Sequence, residues 1–420
     1  MVCSSGILTR VKVILAKVET TCGVDAVPTA TDGLLVEEPM WTPAMETLTR
    51  NNARATLSPE PVTVGKKTGQ MTFMHEVRGS GDPAVAPDVG VLLRGCGMSE
   101  TQITGLGTLG AAVARTGNTG TITWAATTAY DGSDLREVLI ECTTGGASGV
   151  AEVSITAPAL GALPAINITG QVVTDATPIS LTGSTDAEYT PTIGTSLVAG
   201  DKWNVPLLPE GWQYQPVSDN FESLSLYQYH DGLLYKSIGC MGTYSLDATG
   251  GAYGKFSFDF QGTYVAPVDA AIVTPVYQTV TPQQVELAAL RVEENDVVTS
   301  SLIASKFGID IANTVSPRSD INESDSFVGF RITDRAPTMT FDPEHELVAT
   351  YDFYGKAASG AQIDFKARVG TTAGNKVNFH CPNIQLTSPS QSDRDGITAI
   401  DITANLASNA GDDELSILFS

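Results

Sequence analysis

Asp342, Glu344 and His345 put two carboxylates and an imidazole within four positions, a set that could serve acid/base chemistry. They run on into Leu347-Val-Ala-Thr350, and that context reads as a solvated loop beside a strand. Gly145-Gly-Ala-Ser-Gly149 suggests a nucleophile loop, but its spacing departs from G-x-S-x-G and no histidine lies nearby. Asp320, Asn322 and Ser324 alternate oxygen donors as a calcium loop does, without the glycine and the closing glutamate that such a loop needs. Asp393-Arg-Asp-Gly396 reads as a turn. No phosphate-cradling G-x-x-x-x-G-K-[ST] and no H-E-x-x-H is present. The six cysteines are scattered without a C-x-x-C pair, and His75, His230, His345 and His380 are as dispersed, so no zinc spacing arises. The thiols read as buried or incidental in a reducing compartment. The expectation is a protein that is not an enzyme, with no catalytic, cofactor-binding or metal-ligating residues and no cofactor.

The informative pattern lies in the strands. From Lys255 to Gln261 the residues alternate strictly: Phe256, Phe258 and Phe260 form a dry row, and Lys255, Ser257, Asp259 and Gln261 a wet one. Near the C-terminus Ile400, Ile402, Ala404 and Leu406 repeat the dry row, with Asp401, Thr403 and Asn405 as its wet partner. Forty glycines, 22 prolines and frequent Thr and Ser favour short strands joined by turns over long helices. At 420 residues two or three domains are expected. The net charge of −23 argues against binding nucleic acid by attraction, because phosphate binding needs clustered Lys and Arg. A surface so charged repels DNA, which suits a protein past which DNA must slide. Residues 1–19 carry a charge every few positions and read as neither a signal peptide nor a membrane span, which points to folding in the cytosol.

Along the chain, Val11–Val18 reads as a strand, 41–66 as a long loop or loose hairpin, and Thr68–Val77 as an alternating strand. Pro87–Met98 reads as a short helix with Val89, Leu92, Leu93 and Cys96 on one face. Asp231-Gly232 between apolar runs predicts a type I′ hairpin turn. Residues 103–212 change texture, turning rich in Gly, Thr, Ala and Ile, with strand candidates at Gly120–Trp124, Glu137–Thr143, Val150–Thr156, Asn167–Val173 and Leu197–Val205. Met-Thr-Phe occurs at 71–73 and at 339–341; from there to the glycine before the amphipathic strand is 183 residues (71 to 254) in one case and 57 (339 to 396) in the other. The chain therefore reads as one β fold twice, with a module inserted in the first copy: 1–102 with 213–270, the insertion 103–212, and 271–420.

Leu15-Ala-Lys-Val-Glu-Thr-Thr-Cys-Gly-Val-Asp-Ala-Val-Pro28 resembles the opening of the tail tube (major tail) proteins of long-tailed, non-contractile bacteriophages, which usually have an aromatic at the place of Cys22 and a small polar residue at that of Val24. The second half resembles theirs in Ile311–Arg318, Asp320-Ile-Asn322, Phe341-Asp-Pro343, Gly370–Phe379, Ser392–Gly396 and Ala410–Phe419. The end of the insertion, Leu197–Val205, resembles β modules found in phage virion proteins. Together these runs imply a mainly β (α+β) fold: a duplicated tail-tube β-sandwich or barrel domain with a short helix, plus an inserted Ig-like all-β domain.

What the resemblance implies for function is a virion structural protein whose rings stack into the phage tail tube, the conduit for DNA ejection. Inner sheets of such rings join edge to edge, and two tube domains per chain imply a trimeric ring with pseudo-sixfold symmetry. Lys255, Ser257, Asp259, Gln261, Asp401, Thr403 and Asn405 would line the lumen. Ring-to-ring contacts would come from the arm at 1–36 (Leu15, Lys17, Glu19), the loop at 41–66 (Asn51, Asn52, Arg54) and its counterpart at 313–330 (Arg318, Asp320). The partners would be further copies of the chain and the tape measure, tail terminator and tail tip proteins, with DNA passing through unbound and no membrane insertion. The location would be the virion tail, assembled in the host bacterial cytoplasm, with the insertion projecting outward. A multi-domain β adhesin or carbohydrate-binding surface protein is the rival reading, weakened by the lack of an export signal and of paired cysteines. A two-carboxylate carbohydrate-active enzyme is the other, weakened by only four, mostly well separated, tryptophans.

Overall fold

The structure is a computed structural model. It describes residues 6–420 except 105–106, 111, 116, 131, 133, 158–163, 184–186, 286–290, 295–296, 324–325 and 409–410, so Ser324 and Ala410 fall outside the described residues. The chain is mainly β, with 54% of it in strands and 4% in helices, arranged as several antiparallel sheets.

The first half supplies β1 (Lys12–Val18), β2 (Glu37–Leu48), β3 (Thr63–Glu76), α1 (Gly90–Gly95), β4 (Leu224–His230), β5 (Leu233–Thr249) and β6 (Lys255–Asp269). The second supplies β7 (Arg291–Glu294), β8 (Ala304–Asp310), β9 (Asn313–Ser319), β10 (Phe327–Arg335), β11 (Thr338–Pro343), α2 (Phe353–Ser359), β12 (Gln362–Val369), β13 (Val377–Leu386), β14 (Ser390–Arg394) and β15 (Ile397–Leu406).

The pairings of one half recur in the other. β1 lies on β4 with Leu15 opposite Tyr227, and β7 on β12 with Val292 opposite Phe365. β2 lies on β3 with Trp41 opposite Met71, and β8 on β11 with Ile309 opposite Met339. β3 meets β6 with Met71 opposite Phe260 and Phe73 opposite Phe258, as β11 meets β15 with Met339 opposite Ala404 and Phe341 opposite Ile402. Each Met-Thr-Phe thus holds the same place, and a short helix follows each.

Local chemistry accounts for the elements. Asp231 (φ 44°) and Gly232 (φ 98°) close the β4–β5 hairpin in the left-handed backbone that a type I′ turn needs. Asp395 (φ 52°) and Gly396 (φ 87°) do the same between β14 and β15, where Gly396 N donates to Asp393 Oδ1. α1 is shorter than 87–98, yet Val89, Leu92, Leu93 and Cys96 are all buried on one side as expected.

Of the two alternatives expected for 41–66, the hairpin is the one observed: β2 pairs with β3, and 49–62 joins them. One expectation needs correction: 313–330 is not a loop but largely the β9–β10 hairpin, whose Phe327, Phe330 and Ile332 pack on Met241 and Phe221 of the first half. α2 was not foreseen; Asp352 caps it through its carboxylate on Gly355 N, and Gly360 (φ 65°) ends it.

The halves share one core instead of having one each. β5 pairs with β8, with Ser245 opposite Asp310 and Leu246 opposite Ile309, so the dry faces run together. Phe256, Phe258 and Phe260 join Phe307, Phe341, Phe365 and Phe379 in a single buried cluster. Behind it, 270–282 crosses the first half as a packed strap: Val276 N donates to Ala30 O, and Asn375 Nδ2 to Thr281 O.

The insertion leaves the main sheet after the strand Met98–Ile103 and returns at Gly211–Pro216, and these two strands pair with each other. Between them a six-stranded and a three-stranded sheet enclose a separate core around Val138, Ile140, Val153, Ile155, Tyr189, Trp203 and Val205. The Gly200-Asp201 break is a pinned turn, where Asp201 accepts from Thr119 N, Gly120 N and Val198 N.

Candidate functional site

Both wet rows lie on one face of one continuous run of strands, β3–β6–β5–β8–β11–β15. The cross-strand register aligns them into rows. One row is Met74, Ser257, Ser245, Asp310, Thr338 and Asn405; the next is Glu76, Lys255, Asp247, Gly308, Thr340 and Thr403. Phe256, Phe258, Phe260, Ile400, Ile402 and Ala404 are buried behind them, while Ser257, Asp401 and Asn405 are exposed and Lys255, Asp259, Gln261 and Thr403 half-buried. All seven residues expected to face water therefore do so from one surface.

The face carries five acids (Glu76, Asp247, Asp259, Asp310, Asp401) and two bases (Lys255, Lys306). Several are held in place. Gln70 Nε2 donates to both oxygens of Asp259 at 2.8 Å, and Thr249 Oγ1 to Asp247 Oδ1 at 2.9 Å. Lys255 Nζ lies 2.6 Å from Glu37 Oε2, and that hydrogen bond holds its ammonium above the usual lysine range. One base is thus already neutralised by the chain itself. At physiological salt such charges act over about 8 Å, so the surface works on what passes close to it.

Thr243, Ser245, Asp247, Lys306, Asp310, Thr338 and Thr340 share this face and were not singled out from the sequence. Their alternation with Tyr244, Leu246, Phe307, Ile309, Met339 and Phe341 was the available signal. A shallow depression of about 470 Å³ opens on the same side, between Lys306, Thr340, Ser390, Asp401 and Thr403.

The residues expected between rings do not come together. Leu15 is fully buried against β4. Glu19 is buried as well, its carboxylate accepting from Ser223 Oγ, Ser225 Oγ, Gly239 N and Gly23 N, all at 2.7–2.8 Å. Both are corrected to structural residues, because strand pairing with β4 turns them inward; Lys17 is half-buried. Asn51, Asn52 and Arg54 are exposed, with Asn52 and Arg54 tied to Glu60 inside their own loop. Arg318 is exposed near the β9–β10 turn, where Asp320 Oδ1 accepts from Asn322 N and Nδ2 and so closes the turn.

Asp342 is buried at the end of β11 and not on a solvated loop. It accepts from Ser305 N, Ser305 Oγ and Lys306 N, and Arg394 lies against it at 3.0 Å. Such a carboxylate, spent on backbone and a guanidinium, fixes two strands together. Glu137 of the insertion meets Asp364 and His380 of the second half, with donor atoms within 4.8 Å of one another. The Lys366 ammonium sits among them, against Glu137 and 2.9 Å from Asp364, and fills the place a cation would take. Nearby, Asp134 Oδ1 takes Arg368 at 2.7 Å and Lys376 at 2.9 Å. These pairs hold the insertion against β12 and β13. Cys96, Cys240 and Cys381 are free and buried, and burial pushes their thiols up, away from thiolate chemistry. No helix among the described residues is long and apolar enough to cross a membrane. Compared with family models and with curated proteins, the chain matches none.

Proposed function

We propose that the chain is the tube subunit of a long, non-contractile phage tail, assembling as trimeric rings of pseudo-sixfold symmetry that stack into the conduit for DNA. One observation carries this reading: two repeats in one chain present their polar strand faces on a single surface, joined edge to edge through β5 and β8. Repeating that joint between chains extends the surface into a closed wall. The wall is hydroxyl-rich and net acidic, so it offers phosphates no attractive site. The phage resemblance of the N-terminal and C-terminal runs supports the same assignment. The insertion, with its own core, is held against β12 and β13 by Asp134 and Glu137 and would decorate the outside of the tube. Tape measure, terminator and tip proteins would be its partners in the virion tail.

Negative-stain microscopy of the purified chain, with native mass measurement of the rings, tests this. Rings or tubes with three chains per ring are expected. Six chains per ring would remove the pseudo-sixfold assignment, and a chain that stays monomeric at every concentration would remove the tube itself.

A further inference from the structure

β2 and β14 are the two ends of the strand run, and among the described residues each pairs on one side alone, β2 with β3 and β14 with β15. The duplication relates these edges to the internal joint. Through the matched Met-Thr-Phe pairings, Trp41 corresponds to Ile309, and Ser390, opposite Asp401, corresponds to Ser245, opposite Ser257. In the internal joint Ser245 faces Asp310, Leu246 faces Ile309 and Asp247 faces Gly308.

From this we infer that one chain docks its β14 on the β2 of the next in the same register, with Ser390 opposite Thr42, Gln391 opposite Trp41 and Ser392 opposite Met40. The inference rests on the ring-forming reading and specifies its joint. Ser390, Ser392, Thr42 and Met40 then continue the polar face, while Gln391 and Trp41 lie on the core side.

The prolines of β2 make this joint a short one. Ile311 N donates to Tyr244 O across the internal joint, so Phe307, Ile309 and Ile311, which alternate along the strand, turn their N–H groups toward β5. Their counterparts are Pro39, Trp41 and Pro43, and a proline has no N–H. Two of three donors are missing, leaving Trp41 to pair with Gln391 and the Pro39 carbonyl to accept from Asp393. In the free chain Lys12 Nζ already occupies that carbonyl at 2.7 Å, as a lysine guards many natural sheet edges. An edge stripped and guarded in this way resists indiscriminate strand addition. A single joint is correspondingly weak, and closure of a ring, where every joint supports the others, is what makes it hold.

The test is a full-length chain carrying Met40→Cys and Ser392→Cys, oxidised after assembly and run on a denaturing gel. Met40 is 57% exposed and its exchange leaves the core untouched. The two positions lie at opposite ends of one chain's strand run, and the register makes them a non-hydrogen-bonded pair, whose side chains approach closest. Loss of the monomer band to covalent multimers is expected, with no such loss in the wild-type chain, which carries exposed Cys22 as background, or in an Ala44→Cys/Ser392→Cys control. Rings seen by microscopy with the Met40→Cys/Ser392→Cys chain still monomeric on the gel would overturn this joint and leave the tube reading standing. Absence of rings from the wild-type chain would overturn both.

Discussion

Ser245 and Asp310 stand opposite one another across β5–β8, a strand pair that joins the two repeats into a single sheet. Directly beneath, Leu246 and Ile309 are 4% and 2% exposed, so the polar joint is backed by apolar contact. Ile309→Ala removes most of that backing and leaves a cavity in the shared core; the expected cost is about 2–5 kcal/mol. Chemical denaturation followed by tryptophan fluorescence reads it, and an unshifted midpoint would mean that the joint contributes little to holding the halves together.

Asp259 and Asp401 come from different repeats and share the polar face. Asp259→Lys with Asp401→Lys turns five acids and two bases into three acids and four bases. Stability changes within about 0.5 kcal/mol are expected for Asp401, which is exposed, and somewhat more for Asp259, which loses the Gln70 hydrogen bonds. DNA ejection from virions carrying the variant is expected to slow, and to recover as salt is raised, since phosphate attraction is screened. Equal ejection rates in variant and wild type at low salt would take the lumen assignment away.

Glu19 bonds four donors with one buried carboxylate. Glu19→Ala strands them, at about 1–3 kcal/mol for each that water cannot reach, so a chain that melts well below the wild type is expected. The same variant, if it folds, is expected to assemble normally at low temperature. A stable Glu19→Ala chain that fails to form tubes would instead restore Glu19 to the contact role suggested by sequence.

Asp364 and His380, 3.0 Å apart, make part of the insertion's attachment pH-dependent. For Asp364, burial alone raises the carboxyl pKa, but the Lys366 ammonium and His380 outweigh it and hold it well below the usual range. For His380, burial lowers the imidazole, and the neighbouring Asp364 outweighs that and raises it. A depressed carboxyl contributes above its unfolded pKa of about 3.9, and is lost as pH falls through the folded value. A raised imidazole contributes fully below its unfolded pKa of about 6.5, and is lost as pH rises through the folded value. The stabilisation is therefore greatest between about pH 4 and 6.5. The melting difference between wild type and His380→Gln is expected to peak there and shrink toward pH 8; a difference flat across that range would show that the pair adds no charge-dependent stability.

The strands with one wet and one dry face were legible because burial writes itself into the alternation: Phe256, Phe258 and Phe260 could belong to little else. β2 was not, because Met40, Met45 and Leu48 are exposed along with the polar residues between them, and alternation has no meaning where both faces meet water. α2 offered seven residues, too few for a helical period to show, and its evidence was confined to Asp352 and Gly360. Leu15 and Glu19 were placed on the outside because a short strand does not announce which neighbour will cover it. The joint between Ser245 and Asp310 was beyond reach for a related reason: each strand was readable, but a register between residues 65 positions apart (245 to 310) leaves no local trace. The polar surface was thus half visible, as two rows, while their union was a fact of tertiary pairing.

The strand pair at the neck of the insertion bears on how the chain reaches its native state. Phe73 and Phe258 must find each other with that whole segment between them in sequence, yet Ile103 and Gly211 finish side by side. Once the insertion has collapsed on its own core, those two positions act as neighbours and the search that remains is over a much shorter tether. Because the entropy of closing a loop grows only as the logarithm of its length, about 0.6 kcal/mol per doubling, the saving is modest in equilibrium terms. Its weight falls on kinetics, where distant strand pairing sets the pace: early collapse of the insertion would let the sheet zip before its exposed edges meet those of another nascent chain.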